Sequence, residues 1–105
     1  MNNNRIFIVD DEPDLTMLFK LGLEDNGFEV DAFNGPRIAL SAFKERPSYD
    51  LALIDIRMPE MNGFQLYDEM KKLIVELEFA LYHHQIKNLL SLFENLWQLK
   101  KWWKK

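Results

Sequence analysis

The sequence reads as an α/β chain built on a parallel sheet, and three observations predict this. Two short apolar runs, Ile6-Phe7-Ile8-Val9 and Leu51-Ala52-Leu53-Ile54, pass directly into carboxylates, Asp10-Asp11-Glu12 and Asp55. Apolar runs of this kind, without alternation, read as strands buried on both faces. The segments that follow them carry apolar residues at helical spacing, and the connections are short. The order βαβαβα calls for parallel strands joined by right-handed crossovers.

Taken in order, the first strand covers Arg5–Val9. Pro13 and the acids around it start a helix, since proline suits the first turn and negative charge suits the N-terminal dipole. Leu15, Leu18, Phe19 and Leu23 recur along that helix until Asn26-Gly27 stops it. Phe28, Val30 and Ala32 then alternate with Glu29, Asp31 and Phe33, which reads as a more exposed strand. Asn34-Gly35-Pro36 opens a second helix with Ala39, Leu40 and Phe43 on its apolar face, and Arg46-Pro47 ends it. The Asp55 strand follows, with Asp55 expected where the strand leaves the core, open to solvent. The chain then turns through Pro59, Asn62 and Gly63 into a third helix.

With 105 residues, 48% of them hydrophobic, the chain has material for one core in one domain. It has no cysteine, which excludes disulfides and thiolate metal sites. The opening Met-Asn-Asn-Asn-Arg leads into only four apolar residues, too few for a signal peptide, and no segment reaches the ~18 apolar residues of a membrane span. A soluble, cytoplasmic protein is expected. The net charge of −4 conceals a division: residues 1–72 hold 14 acidic and 8 basic residues, whereas residues 73–105 hold 3 acidic and 5 basic ones together with all three tryptophans. The boundary falls near Lys71-Lys72.

In a parallel sheet of this kind, ligands bind outside the carboxyl ends of the strands, where the strand order changes direction. A lone Asp55 is ordinarily a turn residue, and an isolated Asp10-Asp11 pair is ordinarily a helix cap. If the first strand lies between the second and third, however, Asp10, Asp11 and Asp55 converge at one switch point, where three carboxylates repel one another unless a cation joins them. Oxygen ligands without histidine favour a hard cation, and few protein groups plus water suit Mg²⁺ better than Ca²⁺. A carboxylate beside such an ion can attack phosphorus and form an acyl phosphate.

These residues resemble the receiver domain of two-component response regulators. The resemblance rests on the strand with Asp10-Asp11-Glu12-Pro13 and on the Asp55 strand with Met58-Pro59 and Asn62-Gly63, and it covers residues 5–72. It implies a three-layer, flavodoxin-like fold and an acceptor protein in a phosphorelay, not an enzyme. By the same resemblance Asp55 is the phosphoacceptor. Asp10 and Asp11, with Asp55 and the Arg57 main-chain carbonyl, hold Mg²⁺, and a histidine kinase is the phosphodonor.

The family has two further strands, the fourth ending in a Ser or Thr hydroxyl and the fifth in a Lys usually followed by Pro. After Lys72 this sequence has no Gly and no Pro. Val75, Phe79, Tyr82, Ile86, Leu89, Phe93 and Leu96 fall three or four apart, which predicts a long amphipathic helix continuing the third one. The expected fold is therefore an incomplete receiver over residues 1–72 with a helical tail over 73–105 in place of the last two strands. That would leave the third strand as a sheet edge open to pairing, offering self-association through the edge or the tail, and would impair phosphorylation-dependent output. One hypothesis for the change in character is a reading frame displaced near Lys71-Lys72: with AT-rich codons and chosen wobble bases, the tail can be re-read one base out as an apolar strand ending in Ser and another ending in Lys-Pro. The coding DNA tests that account.

Other signals weigh less. His83 and His84 are adjacent, so on a helix they point about 100° apart and suit a solvated surface better than one metal ion. The terminal Leu-Lys-Lys-Trp-Trp-Lys-Lys combines cations and aromatics, which suits a membrane surface or nucleic acid, but no second basic patch supports either. Met58, Met61 and Met70 read as loop and core filler. The competing function is a protein–protein interaction module that uses the amphipathic tail. A haloacid dehalogenase-type hydrolase is a distant third, since it would want Asp-x-Asp where this chain has Asp55-Ile56-Arg57. No room remains for a DNA-binding output domain, so output is expected to pass through a partner.

Overall fold

The computed structural model describes residues 5–74 and 77–82. Its elements run β1 (Arg5–Val9), α1 (Pro13–Glu24), β2 (Glu29–Phe33), α2 (Pro36–Glu45), β3 (Leu51–Asp55), α3 (Gly63–Lys71) and β4 (Glu78–Tyr82). The four strands form one sheet in the order β2-β1-β3-β4, parallel throughout. β1 thus lies between β2 and β3, the arrangement that brings the acidic strand ends together.

Alternation along the strands splits the core into two halves. Ile6, Ile8, Val30, Leu51 and Leu53 face α1, where Leu15, Phe19 and Leu23 meet them. Phe7, Val9, Ala52 and Ile54 face the other way, against Ala39 and Phe43 of α2 and Leu66 and Met70 of α3. Each large apolar side chain so buried contributes on the order of 1.5–3 kcal/mol. The result is three layers, with α1 on one side of the sheet and α2 and α3 on the other. Leu51–Ile54 of β3 are buried, as their uninterrupted apolar run predicts, whereas β2 is the half-exposed strand its alternation predicts.

The helix boundaries follow local chemistry. α1 and α2 both begin with Pro in the first turn. α1 closes through Gly27, whose φ of 92° lies in the left-handed region that glycine tolerates best, and the Phe28 N–H donates to the Leu23 carbonyl. α3 has a capping box: the Gln65 N–H donates to the Asn62 side chain and the Asn62 N–H donates to the Gln65 side chain, both at 2.9 Å.

The expectation of one helix running on from α3 is corrected. α3 ends at Lys71, and residues 78–82 form β4, paired in parallel with β3 from Leu51↔Glu78 to Asp55↔Tyr82. β3 is therefore an inner strand, not a sheet edge. A short apolar run such as Phe79–Tyr82 fits helical and strand periods alike. What decides is the row of backbone donors and acceptors along β3, which a neighbouring strand satisfies and a helix does not. The Glu78 N–H donates to the Asp50 carbonyl at 3.3 Å and the Ile56 N–H to the Tyr82 carbonyl at 2.7 Å, closing the ladder at both ends. Phe79 and Leu81 pack against the α2/α3 half of the core, and Ala80 and Tyr82 against the α1 half. Of the remaining apolar positions assigned to a helical tail, Val75 and everything after Tyr82, including His83, His84 and the Trp/Lys-rich end, lie outside the described residues.

Candidate functional site

The site lies at the carboxyl ends of β1, β3 and β4. Side chains alternate between the faces of a strand, so Asp10, following Ile6 and Ile8, and Asp55, following Leu51 and Leu53, both project on the α1 side. One carboxylate oxygen from each of Asp10, Asp11 and Asp55 lies within 4.8 Å of the other two. All three residues singled out in the sequence are thus brought together. Arg57 lies in the turn just beyond β3, where its N–H donates to Asp55 Oδ1 at 3.2 Å.

Asp55 is not open to solvent as expected. It is 2% exposed, and Asp10 is fully buried, while Asp11 is exposed. The difference arises from β4, which runs alongside β3 so that Tyr82 lies opposite Asp55, and from the turn after β3, which folds back. In that turn the Gly63 N–H donates to the Ile56 carbonyl at 2.9 Å, and a Cβ on Gly63 would come within 2.5 Å of the Asp55 carbonyl oxygen. Glu60, in the same turn, has a φ of 71°, a left-handed conformation that costs a non-glycine residue about 1–2 kcal/mol. The loop is thus held in a tight shape beside the carboxylates.

Asp10 is fixed from several sides. Its N–H donates to the Phe33 carbonyl at 3.0 Å, and its own carbonyl accepts from Asn34 Nδ2 at 2.9 Å. Asn34 also donates to Thr16 Oγ1, and that hydroxyl donates to the Pro13 carbonyl, which ties the ends of β1 and β2 to the start of α1. The carboxylate accepts the Glu12 N–H on Oδ1 at 2.9 Å and the Tyr82 hydroxyl on Oδ2 at 2.7 Å.

Tyr82 is the site residue that sequence reasoning missed. Its ring stands edge-on to Phe19 with centroids 5.9 Å apart. Burial, reinforced by the neighbouring carboxylates of Asp10, Asp55 and Asp11, raises the phenol's pKa far above its ordinary value, so the hydroxyl keeps its proton and donates. The signal was the alternation Phe79/Leu81 against Ala80/Tyr82, masked by a helical period that the same residues satisfy. The fourth strand is thus present, and the hydroxyl at its carboxyl end is a phenol. A fifth strand and its Lys would fall outside the described residues.

The donor set fits a small hard cation. Three carboxylate oxygens within 4.8 Å of one another, with no nitrogen or sulfur among them, would suit a hard cation, and the exposed Asp11 side leaves an approach for water.

A parallel sheet with helices on both faces and a carboxylate cluster at the switch point is the architecture that the resemblance implied, and comparison with known proteins agrees. The family model of the response regulator receiver domain matches residues 6–85, and the chain belongs to that family. It is 44% identical over 72 residues to the chemotaxis protein CheY of Bacillus subtilis, covering 67% of this chain and 58% of that protein. Against the CpxR homologue, a transcriptional regulatory protein of Haemophilus influenzae, it is 38% identical over 69 residues, covering 66% of this chain but only 30% of that one. Among solved structures, the Thermotoga maritima response regulator TrrA in complex with Mg²⁺-BeF superposes with a TM-score of 0.73 at 27% identity, covering 91% of this chain and 98% of that one. The chain thus spans less than two thirds of the length of both curated relatives.

Proposed function

We propose that this receiver domain accepts a phosphoryl group on Asp55 from a histidine kinase, with Mg²⁺ held by Asp10, Asp11, Asp55 and the Arg57 main-chain carbonyl. The observation that carries the reading is the convergence of the three carboxylates at the ends of β1 and β3, two of them buried. Buried like charges this close are costly without a cation. When bound, Mg²⁺ would offset negative charge on the incoming phosphoryl group. Asp55 supplies the nucleophile: one of its carboxylate oxygens forms the new P–O bond as the bond from phosphorus to the donor's nitrogen breaks. The Arg57 N–H on Oδ1 orients the Asp55 carboxylate for that attack, and the Glu12 N–H and the Asn34 side chain hold Asp10, which would contribute its carboxylate to the ion.

In this reading the protein is a phosphoryl acceptor that works in the cytoplasm. Among the described residues no helix is long and apolar enough to cross a membrane. Output is impaired relative to the family pattern, in which the fourth strand ends in a small Ser or Thr hydroxyl, whereas β4 ends in the Tyr82 phenol, held on Asp10.

The test is thermal unfolding with and without Mg²⁺ and beryllofluoride, a mimic of the aspartyl phosphate. A ligand specific to the folded state adds ~2.7 kcal/mol at a hundredfold excess over its dissociation constant. A melt that shifts upward in the natural chain and not in Asp55→Ala supports the reading. A cooperative melt with no shift overturns it.

A further inference from the structure

We infer that Asn34 is a positioning residue for the cation site: by holding the peptide between Asp10 and Asp11, it aims the Asp11 carboxylate at the cluster. The inference rests on the reading of that cluster as a Mg²⁺ site and adds a residue that acts on the ion through Asp11.

Asp11 is the exposed member of the three carboxylates, and its side chain makes no hydrogen bond or ion pair among the described residues. Its direction is set by the main chain, where both flanking peptide groups are held. On one side the Asp10 carbonyl accepts from Asn34 Nδ2 at 2.9 Å, and on the other the Glu12 N–H donates to Asp10 Oδ1 at 2.9 Å. The second bond is local to the turn. The first comes from a residue 24 positions away, just past the end of β2, and so exists only in the folded sheet.

Asn34 acts where the β1/β2 ladder runs out. The Phe33 carbonyl accepts the Asp10 N–H at 3.0 Å. In a parallel ladder the Asp10 carbonyl would next take a main-chain N–H from further along the neighbouring strand, but there the chain has turned through Gly35-Pro36 into α2. The Asn34 amide supplies that donor instead. The same nitrogen donates to Thr16 Oγ1 at 2.9 Å, and Thr16 is itself buried and tied to the Pro13 carbonyl. Two acceptors on two elements thus fix the amide, although Asn34 as a residue is exposed. Partners that orient a metal ligand from behind are typically worth tenfold or more in affinity.

The experiment is calorimetric titration of the full chain and of Asn34→Ala with MgCl₂. Alongside it, the three-bond coupling between the Asp11 amide and Hα protons, measured in ion-free protein, reports the Asp11 φ. Asn34→Ala is expected to bind Mg²⁺ roughly tenfold more weakly, equivalent to about 1.4 kcal/mol. Its Asp11 coupling should move toward the averaged value of a mobile residue, while that of Ile54, inside β3, stays unchanged. Equal affinity overturns the inference and leaves the Mg²⁺ reading intact. So does weaker binding with the Asp11 coupling unmoved, which would mean that Asn34 only supports the fold. Absence of Mg²⁺ binding in the natural chain removes that reading and the inference with it. If Asn34→Ala does not fold, Asn34→Ser, whose shorter side chain cannot span both acceptors, is read against the same outcomes.

Discussion

Gly63 sits so close to Asp55 that a methyl group in place of its hydrogen would come within 2.5 Å of the Asp55 carbonyl oxygen and 2.9 Å of the Ile56 Cα. The atoms in the way are backbone, so no side-chain rotation relieves the clash. Gly63→Ala is therefore expected to push the start of α3 away from the end of β3 at a cost of about 1–3 kcal/mol. For a domain of this size that lowers Tm by roughly 4–20 °C. Because the displaced atoms belong to Asp55, the variant should also bind Mg²⁺ more weakly, which calorimetry reads separately from stability.

Asp10→Asn tests the balance of charge in the cluster. The amide retains an acceptor for the Glu12 N–H while removing one of two buried carboxylates. With Mg²⁺ chelated, the variant should unfold at the same temperature as the natural chain or higher, since like-charge repulsion is relieved. On adding Mg²⁺ the natural chain should gain stability and the variant should not. Melting curves in chelator and in excess Mg²⁺ check both halves.

Tyr49 predicts how stability falls in alkali. Burial, then its hydrogen bond to Asp31 at 2.7 Å, pushes its pKa up from 10.0 to about 12. The unfolded chain thus releases this proton at lower pH than the folded one. Its contribution is complete below pH 10 and lost as pH rises toward 12. Tyr49→Phe should be less stable at neutral pH, through loss of the Asp31 bond, and should decline less steeply between pH 10 and 12 in melts across that range.

Phe79→Asp tests whether residues 78–82 form a strand. Phe79 packs edge-on to Tyr67 with centroids 4.6 Å apart and lies on the α2/α3 side, opposite Tyr82. A charge there should loosen β4 at a cost of about 1–3 kcal/mol. The Ile56 amide, which donates to the Tyr82 carbonyl, should be protected from hydrogen exchange in the natural chain and lose that protection in the variant.

Most of the fold was legible because its strands announce themselves. β1 and β3 are continuous apolar runs that end in acid, and α1 and α2 are bracketed by Pro at one end and by Gly27 or Arg46-Pro47 at the other. Asp10, Asp11 and Asp55 could be singled out before any geometry was known, since strand ends at a switch point are where a parallel sheet gathers side chains. β4 was not legible. Phe79 and Tyr82 are three apart, and the same spacing serves a helix face or the two faces of a strand.

The sequence by itself therefore determined the parallel α/β core and the three acids at its carboxyl end, because burial and chain reversal leave local marks in residue type. The tertiary structure alone decided the state of residues 78–82 and what became of Asp55. An unfilled row of backbone donors and acceptors along β3 selects a strand over a helix, and neither partner's local sequence records that need. Once β4 is in place, Tyr82 lies opposite Asp55 and its hydroxyl meets Asp10. A contact between residues 72 positions apart in the chain arises only from the pairing of strands.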